Sequence, residues 1–561
     1  MKKTLPKNSL PLLTAFVASA VMLTIIQLPA GWSFLAWAAL VPFILVCNSD
    51  IKVSTLFIVA YVVSFCYWLG NLYWMMPVTT AGLITLCLYM AVLWPLVAVC
   101  LRFCVMKKAP LFLAVPALIV GAERLQGVFW GGFFWRYLAH SQYANIPLIQ
   151  ISDIFGAAGV SFLIAMANGL LAELIISAKQ RNILKPAQLL KIVFVCGAVV
   201  AAIFYGRWRI NQSVEFIETG PVVAAVQSNV PQSVKESYAA SEEMFDNLLK
   251  KSDAAAKANA TLIVWPETMV QAILDDRVLK ILDSSHPYNV YNEAIKKHAK
   301  EINAYILAGA HGGVPLVKPD MTIELAQKYN SAFLYRSDGI ESDKQYNKIH
   351  LVPFGEVVPF KKKFPPLYRL LMKLTPYDYD YSLDYGSEYT VFGMNSSGRV
   401  YRFGVMICYE DTVPSITRKF TLDENGSKKA DWLVNISNDG WFVRFSRGQV
   451  YPSAELSQHT AICVFRAVEN RQSILRSVNT GISCLIDSLG RIKDGYLASD
   501  LPKKAIERQG VGGWFADNIT IDKRISFFSK YGQWLDFCCT VVFVSLIILQ
   551  VSGWFLRKRI E

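Results

Sequence analysis

Long apolar runs broken by short polar stretches fill the first 210 residues, and one more closes the chain. We read them at 10–28, 31–47, 53–75, 80–104, 110–130, 156–178, 190–206 and 534–556. A helix needs roughly 20 residues to cross a bilayer, so the pattern predicts eight membrane spans. The second run is short, and the fifth contains Glu123 and Arg124, so their boundaries are soft. Between 211 and 530 the pattern changes to short β-forming runs alternating with helical ones. Strands are predicted at Val222–Gln227, Leu262–Trp265, Tyr305–Gly309, Tyr401–Ile407, Leu433–Ser437 and Ser473–Val478. One helix opens at Ser241, read as an N-cap with Glu242 and Glu243 in the first turn, and another covers 453–471. This alternation predicts a layered α/β domain. The chain therefore divides into a membrane domain of seven helices (1–210), an α/β domain (211–530) and a terminal helix with a short tail (531–561).

Composition supports this division. The chain has 561 residues, 53% of them hydrophobic, and carries a net charge of +13. The α/β region is nearly neutral, with 38 Lys+Arg against 37 Asp+Glu. The other 18 basic and 6 acidic residues lie in or beside the apolar runs. The excess is thus topological, and nucleic-acid binding is not needed to explain it. Lys2, Lys3, Lys7, Lys52, Arg102, Lys107, Lys108, Lys179, Arg181, Lys185, Lys191, Arg557, Lys558 and Arg559 all fall on one side if eight spans leave both termini inside. Arg124, Arg136, Arg207 and Arg209 form a weaker set toward the other side. The α/β domain is then outside, which in a bacterium means a periplasmic domain anchored in the inner membrane. Met1-Lys2-Lys3 and Ala18-Ser19-Ala20 resemble a signal peptide, but retaining the first helix makes the charges alternate and is the reading taken.

Eight of eleven cysteines lie in apolar runs, leaving Cys408, Cys463 and Cys484 in the α/β region without CxxC spacing. A disulfide framework or zinc site is not expected. Glu123 and Arg124 are ionisable residues deep in a predicted span, either functional or an ion pair that orients a helix.

Three strand ends carry candidate chemistry. Val264-Trp265-Pro266-Glu267 puts a carboxylate just past a strand. Tyr346-Asn347-Lys348-Ile349-His350 puts a lysine ahead of Leu351 to Glu356. Tyr401 to Glu410 ends a strand on Cys408, followed by Tyr409, Glu410 and Asp411. Together they contain a thiol, a carboxylate whose pKa an apolar pocket would raise toward a base's task, and an ammonium able to hold an oxyanion. His286, His298, His311, His350 and His459 leave a Cys–His pair open, though none has so suggestive a context.

The words VWPE, YNKIHLVPFGEVVPF, GVMICYE, NISNDGWF and RAVENRQSILRSVNTGISCLID resemble the nitrilase superfamily, and most of all its membrane branch, the apolipoprotein N-acyltransferases. VQSNVPQ and ERLQGVFWGGFFWRYLAHSQ also match, so the resemblance covers essentially the whole chain. It implies an α/β αββα sandwich with Glu267 as general base, Lys348 as oxyanion-stabilising lysine and Cys408 as nucleophile. Glu356, Tyr409 and Glu410 match supporting positions. It also implies a phospholipid acyl donor, a Cys thioester, a diacylglyceryl-modified apolipoprotein as acceptor, no cofactor or metal, and a monomer. A membrane-tethered amidase or nitrilase and a non-enzymatic membrane scaffold are the rivals. Some relatives carry an aromatic residue where Glu236 stands, which leaves substrate contacts at that edge open.

From Lys361 to Tyr377, basic residues interleave with Phe364, Leu367, Tyr368, Leu370, Leu371 and Leu374. This predicts a basic amphipathic segment, suited either to an anionic bilayer surface or to packing as a helix on the domain.

Overall fold

A computed structural model describes residues 9–179, 185–235, 238–320, 322–358, 360–361, 363–373 and 380–560. Lys2, Lys3, Lys7, Arg181, Glu236, Lys362 and Leu374 to Tyr377 lie outside the described residues. The chain forms two compact units. One takes in the helices up to Asn211 and the chain from Tyr531, and the other runs from Gln212 to Lys530.

Among the described residues of the first unit, six helices are long and apolar enough to cross a membrane: Val53–Asn71, Thr80–Met106, Leu111–Val128, Ala157–Ala178, Pro186–Phe216 and Trp534–Gly553. The fifth continues past Asn211, so its residues from Gln212 to Phe216 belong to the second unit. Leu12–Ile25 and Ser33–Cys47, predicted as the first two spans, are shorter apolar helices. Leu189, Leu190, Val193, Phe194, Val200 and Phe204 stand exposed along one helix, as side chains facing lipid do. Glu123 and Arg124 do not pair with each other. Glu123 Oε1 accepts the Leu138 amide at 2.7 Å, while Arg124 donates to Asp536 Oδ2 at 3.1 Å. Successive residues on a helix point in different directions, so each ties the helix to a different neighbour.

The second unit is built on two sheets. The first contains β1 (Ile217–Gln227), β2 (Leu262–Val264), β3 (Tyr305–Val317), β4 (Ile323–Tyr335) and β5 (Glu341–Asn347). The second contains β6 (Val391–Ser396), β7 (Arg399–Ile407) and β8 (Trp432–Ser437). A small hairpin of β9 (Arg444–Ser446) and β10 (Gln449–Tyr451) follows. Then β11 (Ile474–Val478) and β12 (Cys484–Ile486) complete the second sheet, and β13 (Ala498–Ser499) and β14 (Gly513–Asp522) complete the first. The strand orders are β13-β14-β1-β2-β3-β4-β5 and β12-β11-β8-β7-β6. The central strands β1-β2-β3 and β7-β8-β11 are parallel, and such strands are buried on both faces, which explains their unbroken apolar runs.

Helices Tyr238–Lys257 and Pro287–Glu301 cover one face of the first sheet. Phe245, Leu248, Ile295 and Ala299 pack there with Val226, Ile263, Trp265 and Ile306. Ser241 therefore lies inside a helix and does not cap one. The other face meets the second sheet, where Ser477 Oγ is 2.9 Å from both Val226 O and Val264 O. Helix Ala454–Asn470 is buried from Glu455 to Asn470, polar residues included. Those polar groups need protein partners, and His459 finds Asp411 and Glu455 beside the site.

Candidate functional site

The carboxyl ends of β2, β5, β7 and β8 converge. Pro266 ends β2, and Glu267 follows with its carboxylate turned into the interior, its side chain 7% exposed. Gly309 on β3 makes this possible, since a Cβ there would lie 2.4 Å from Pro266 O. Lys348 follows β5 directly and is also buried. Its Nζ stands 3.3 Å from Glu267 Oε1 and 2.8 Å from Glu356 Oε2. Asn330 Nδ2 donates to Glu267 Oε1 at 2.6 Å and to Glu356 Oε1 at 2.9 Å. The other Glu267 oxygen accepts the Asn438 amide at 2.7 Å.

Cys408 ends β7 with φ of 53°, a left-handed conformation that a non-glycine residue adopts at a cost and that recurs at functional sites. The chain turns there into a short 3-10 helix, Cys408–Thr412. Asn435 Nδ2 donates to Cys408 O at 3.1 Å. Glu410 holds the turn to the lysine's loop. One oxygen accepts the Ile349 and His350 amides at 2.7 and 3.0 Å, and the other accepts the Tyr346 hydroxyl and the Ile407 amide, both at 2.8 Å. Tyr409 stacks on His350 with ring centroids 5.8 Å apart. The six residues predicted from sequence are thus brought to one place.

Electrostatics correct one expectation. Burial would raise Glu267, but the Lys348 ammonium, the Asn330 amide and Lys235 overcome it and hold the carboxyl below its ordinary range. Glu267 is thus ionised at neutral pH. Burial would likewise lower Lys348, but Glu267 and Glu356 hold it well above the lysine range. Burial pushes the Cys408 thiol up, and Glu267 adds to the rise, against Lys348 and the Ser437 hydroxyl. The resting state is a neutral thiol beside an ionised carboxylate and an ammonium. Such a set can pass a proton from sulfur to carboxylate as sulfur attacks, and can offer a cation to an oxyanion.

The sequence reading missed several neighbours. Lys235, buried, donates to Thr268 Oγ1 at 2.6 Å. Behind the Cys408 turn, His459 Nε2 is 2.6 Å from Asp411 Oδ1, and its Nδ1 is 3.1 Å from Glu455 Oε1. Arg476 also pairs with Asp411. Asp439, Glu455 and His459 bring ligand-type atoms within 4.8 Å of one another. Both carboxylates, however, face His459, whose Nδ1 lies 3.9 Å from Asp439 Oδ1 and 3.1 Å from Glu455 Oε1. The 455, 459, 463 spacing puts Glu455, His459 and Cys463 on one helical face, a signal available in the sequence.

The family model described as Apolipoprotein N-acyltransferase N-terminal domain matches residues 19–170, and the one described as Carbon-nitrogen hydrolase matches 222–499. The chain is 31% identical to an apolipoprotein N-acyltransferase of Geobacter metallireducens, over 93% of this chain and 92% of that relative. It is 27% identical to apolipoprotein N-acyltransferase 2 of Treponema denticola, over 74% of this chain and 70% of the relative. Helices able to cross a membrane, a carbon-nitrogen-hydrolase α/β unit and a relative this similar over nearly its whole length together make the chain a member of the apolipoprotein N-acyltransferase family.

Proposed function

We propose that this protein transfers a fatty acyl chain from a phospholipid to the α-amino group of an N-terminal diacylglyceryl-cysteine, in two half-reactions. In the first, Cys408 Sγ attacks the ester carbonyl while its proton passes to Glu267. The tetrahedral oxyanion forms beside Lys348. Collapse expels the lysophospholipid alkoxide, which takes the proton from Glu267, and leaves a thioester on Cys408. In the second, the acceptor's ammonium gives one proton to solvent water and the free amine attacks the thioester. Glu267 takes a proton from the attacking amine and returns one to the departing thiolate, forming the amide. The observation that carries this reading is the meeting of Glu267, Lys348 and Cys408 at neighbouring strand ends, in a chain of this family.

The basic residues listed above favour eight spans with both termini cytoplasmic and the α/β unit periplasmic, in the inner membrane of a bacterium. Leu370 on helix Pro365–Met372 and Phe364 just before it are exposed, which suits entry of an acyl chain from the bilayer. A monomer suffices, since all three groups come from one chain.

The test is mass spectrometry of a diacyl lipopeptide incubated with pure protein and phospholipid. A gain of one N-linked acyl group, passing through an acyl mass on Cys408, is expected. Acyl release to water without lipopeptide modification would favour the amidase reading.

A further inference from the structure

Two stretches that the proposed reaction leaves unused, VQSNVPQ after β1 and SVNTG at the end of β11, meet near the base. β1 ends at Gln227, and Asn229, with φ of 56°, turns the chain toward Asn479. Asparagine adopts this left-handed conformation more readily than most residues. The side-chain amide of Asn479 then binds Val230 as a neighbouring strand would. Its Oδ1 accepts the Val230 amide at 2.9 Å, and its Nδ2 donates to Val230 O at 2.6 Å. The Asn229 amide donates to Asn479 O at 2.6 Å. The second proton of Nδ2 goes to Asn438 Oδ1 at 2.7 Å. A side-chain amide nitrogen has two protons to give, and both are used. Asn479 is wholly buried, so bulk water does not stand in for these bonds.

Asn438 is thereby held from two sides. Its Oδ1 takes Asn479 Nδ2 and, at 3.3 Å, the Gly440 amide, while its own Nδ2 donates to Gln232 Oε1 at 3.1 Å. Gln232 opens the one-turn helix Gln232–Lys235, which continues from VQSNVPQ. Gly440 permits this close approach, since a Cβ there would lie 2.8 Å from Asn479 Nδ2 and 3.0 Å from both Asn438 Oδ1 and Val230 O. The main chain of Asn438 reaches the base. Lys348 and Asn330 both use Glu267 Oε1, so among the described residues the Asn438 amide alone holds Oε2.

We propose that Asn479 is a positioning residue for the base: it braces Asn438 against Val230 and so keeps the Asn438 amide on Glu267 Oε2. A hydrogen bond to the charged carboxylate favours that form. Freeing Asn438 therefore raises the pH at which Glu267 takes up a proton, and it loosens the carboxylate beside Cys408. The titratable groups facing Glu267 are Lys348 and Glu356 beyond β5, Lys235 beside Thr268, Cys408 at the end of β7 and His311 on β3. Among the described residues Asn479 hydrogen-bonds none of them, so its effect runs through Asn438. The role rests on Glu267 being the base of the reaction proposed above.

The test is the pH dependence of kcat/KM for acylation of a diacyl lipopeptide by the full-length protein in mixed detergent and phospholipid micelles. Asn479→Ala should lower kcat/KM at pH 7 by about tenfold. It should also move the acid limb up by about one to two pH units, the worth of one hydrogen bond to a charged group. In the Glu267→Gln background the same substitution should change kcat/KM by less than about twofold, because no ionised base is left to position. A residue that only stabilises the fold would lower both backgrounds alike and leave the limb in place. An unmoved limb, or an equal loss in both backgrounds, would overturn the proposal. If Asn479→Ala does not fold, Asn438→Ala decides, since it keeps the main-chain amide and cuts the brace from the other end. Its limb should move up likewise, and an unmoved limb overturns the proposal. Wild-type kcat/KM in Glu267→Gln itself would instead remove Glu267 as the base, the reading on which the role of Asn479 rests.

Discussion

The backbone amide of Asn438 donates to Glu267 Oε2 at 2.7 Å, joining the tip of β8 in one sheet to the residue that follows β2 in the other. This bond and the Lys348 ammonium keep a buried carboxylate charged beside a thiol. The base therefore depends on how the two sheets are packed.

Glu267→Gln keeps an oxygen for the Asn438 amide but cannot take a proton. The kcat/KM for lipopeptide acylation should fall by about 10²–10⁴, the usual range for loss of a general base, with little change in the thermal midpoint. A variant with near-normal kcat/KM would place the base elsewhere.

Lys348→Met removes the cation between Glu267 and Glu356. Breaking one side of a buried ion pair costs roughly 3–5 kcal/mol, and burial then acts on Glu267 without its strongest opposing charge, against only Asn330, Lys235 and the Asn438 amide. Wild-type activity should hold as pH falls to below the ordinary glutamate value of about 4.3, because Glu267 is held under its usual range. In the variant the acid limb of any residual activity should move up toward neutral. The pH dependence of kcat/KM checks this.

Glu410→Ala strips one acceptor from the Tyr346 hydroxyl and from the amides of Ile349, His350 and Ile407. Each buried donor left unsatisfied costs about 1–3 kcal/mol. Because these bonds hold the Lys348 loop to the Cys408 turn, kcat should fall together with the thermal midpoint. Glu410→Gln should lose less of both.

His459→Asn tests the buried cluster through pH. Burial opposes the charge on His459, but Asp411 outweighs it and raises the imidazole to about 10. A raised histidine pKa stabilises the fold fully below its unfolded value of about 6.5 and loses that contribution as pH rises through about 10. The stability gap between wild type and variant should therefore be widest near pH 6 and narrow toward pH 10. Thermal melts across that range read it.

Leu370→Glu puts a charge on the exposed apolar side of helix Pro365–Met372. Acylation from phospholipid vesicles should slow through KM, while alkylation of Cys408 by a small soluble reagent should keep its rate. An equal loss in both would assign Leu370 to folding of the domain.

Much of this was legible because parallel central strands are buried on both faces. The apolar runs before Glu267 and Cys408 stand in the sequence as strands, and the residues that end them stand out as strand tips. Apolar length likewise marked the membrane helices. Local pattern failed where a choice depended on neighbours brought from afar. Ser241 has the chemistry of a cap, yet the helix begins at Tyr238. Glu123 and Arg124 look like a pair, yet Leu138 and Asp536 take them apart.

Sequence alone determined which elements form and which reactive side chains end them, because hydrophobic period and chain-breaking residues act over a few positions. Tertiary structure alone decided the charge state of those side chains. The expectation of a raised Glu267 rested on burial, which a sequence can suggest. The opposite result comes from Lys348, 81 positions away, from the Asn330 amide, 63 positions away, and from Lys235, with the Asn438 amide, 171 positions away, adding to them. Electrostatic work depends on distance in space and on the surrounding medium, and only the closed sandwich sets both.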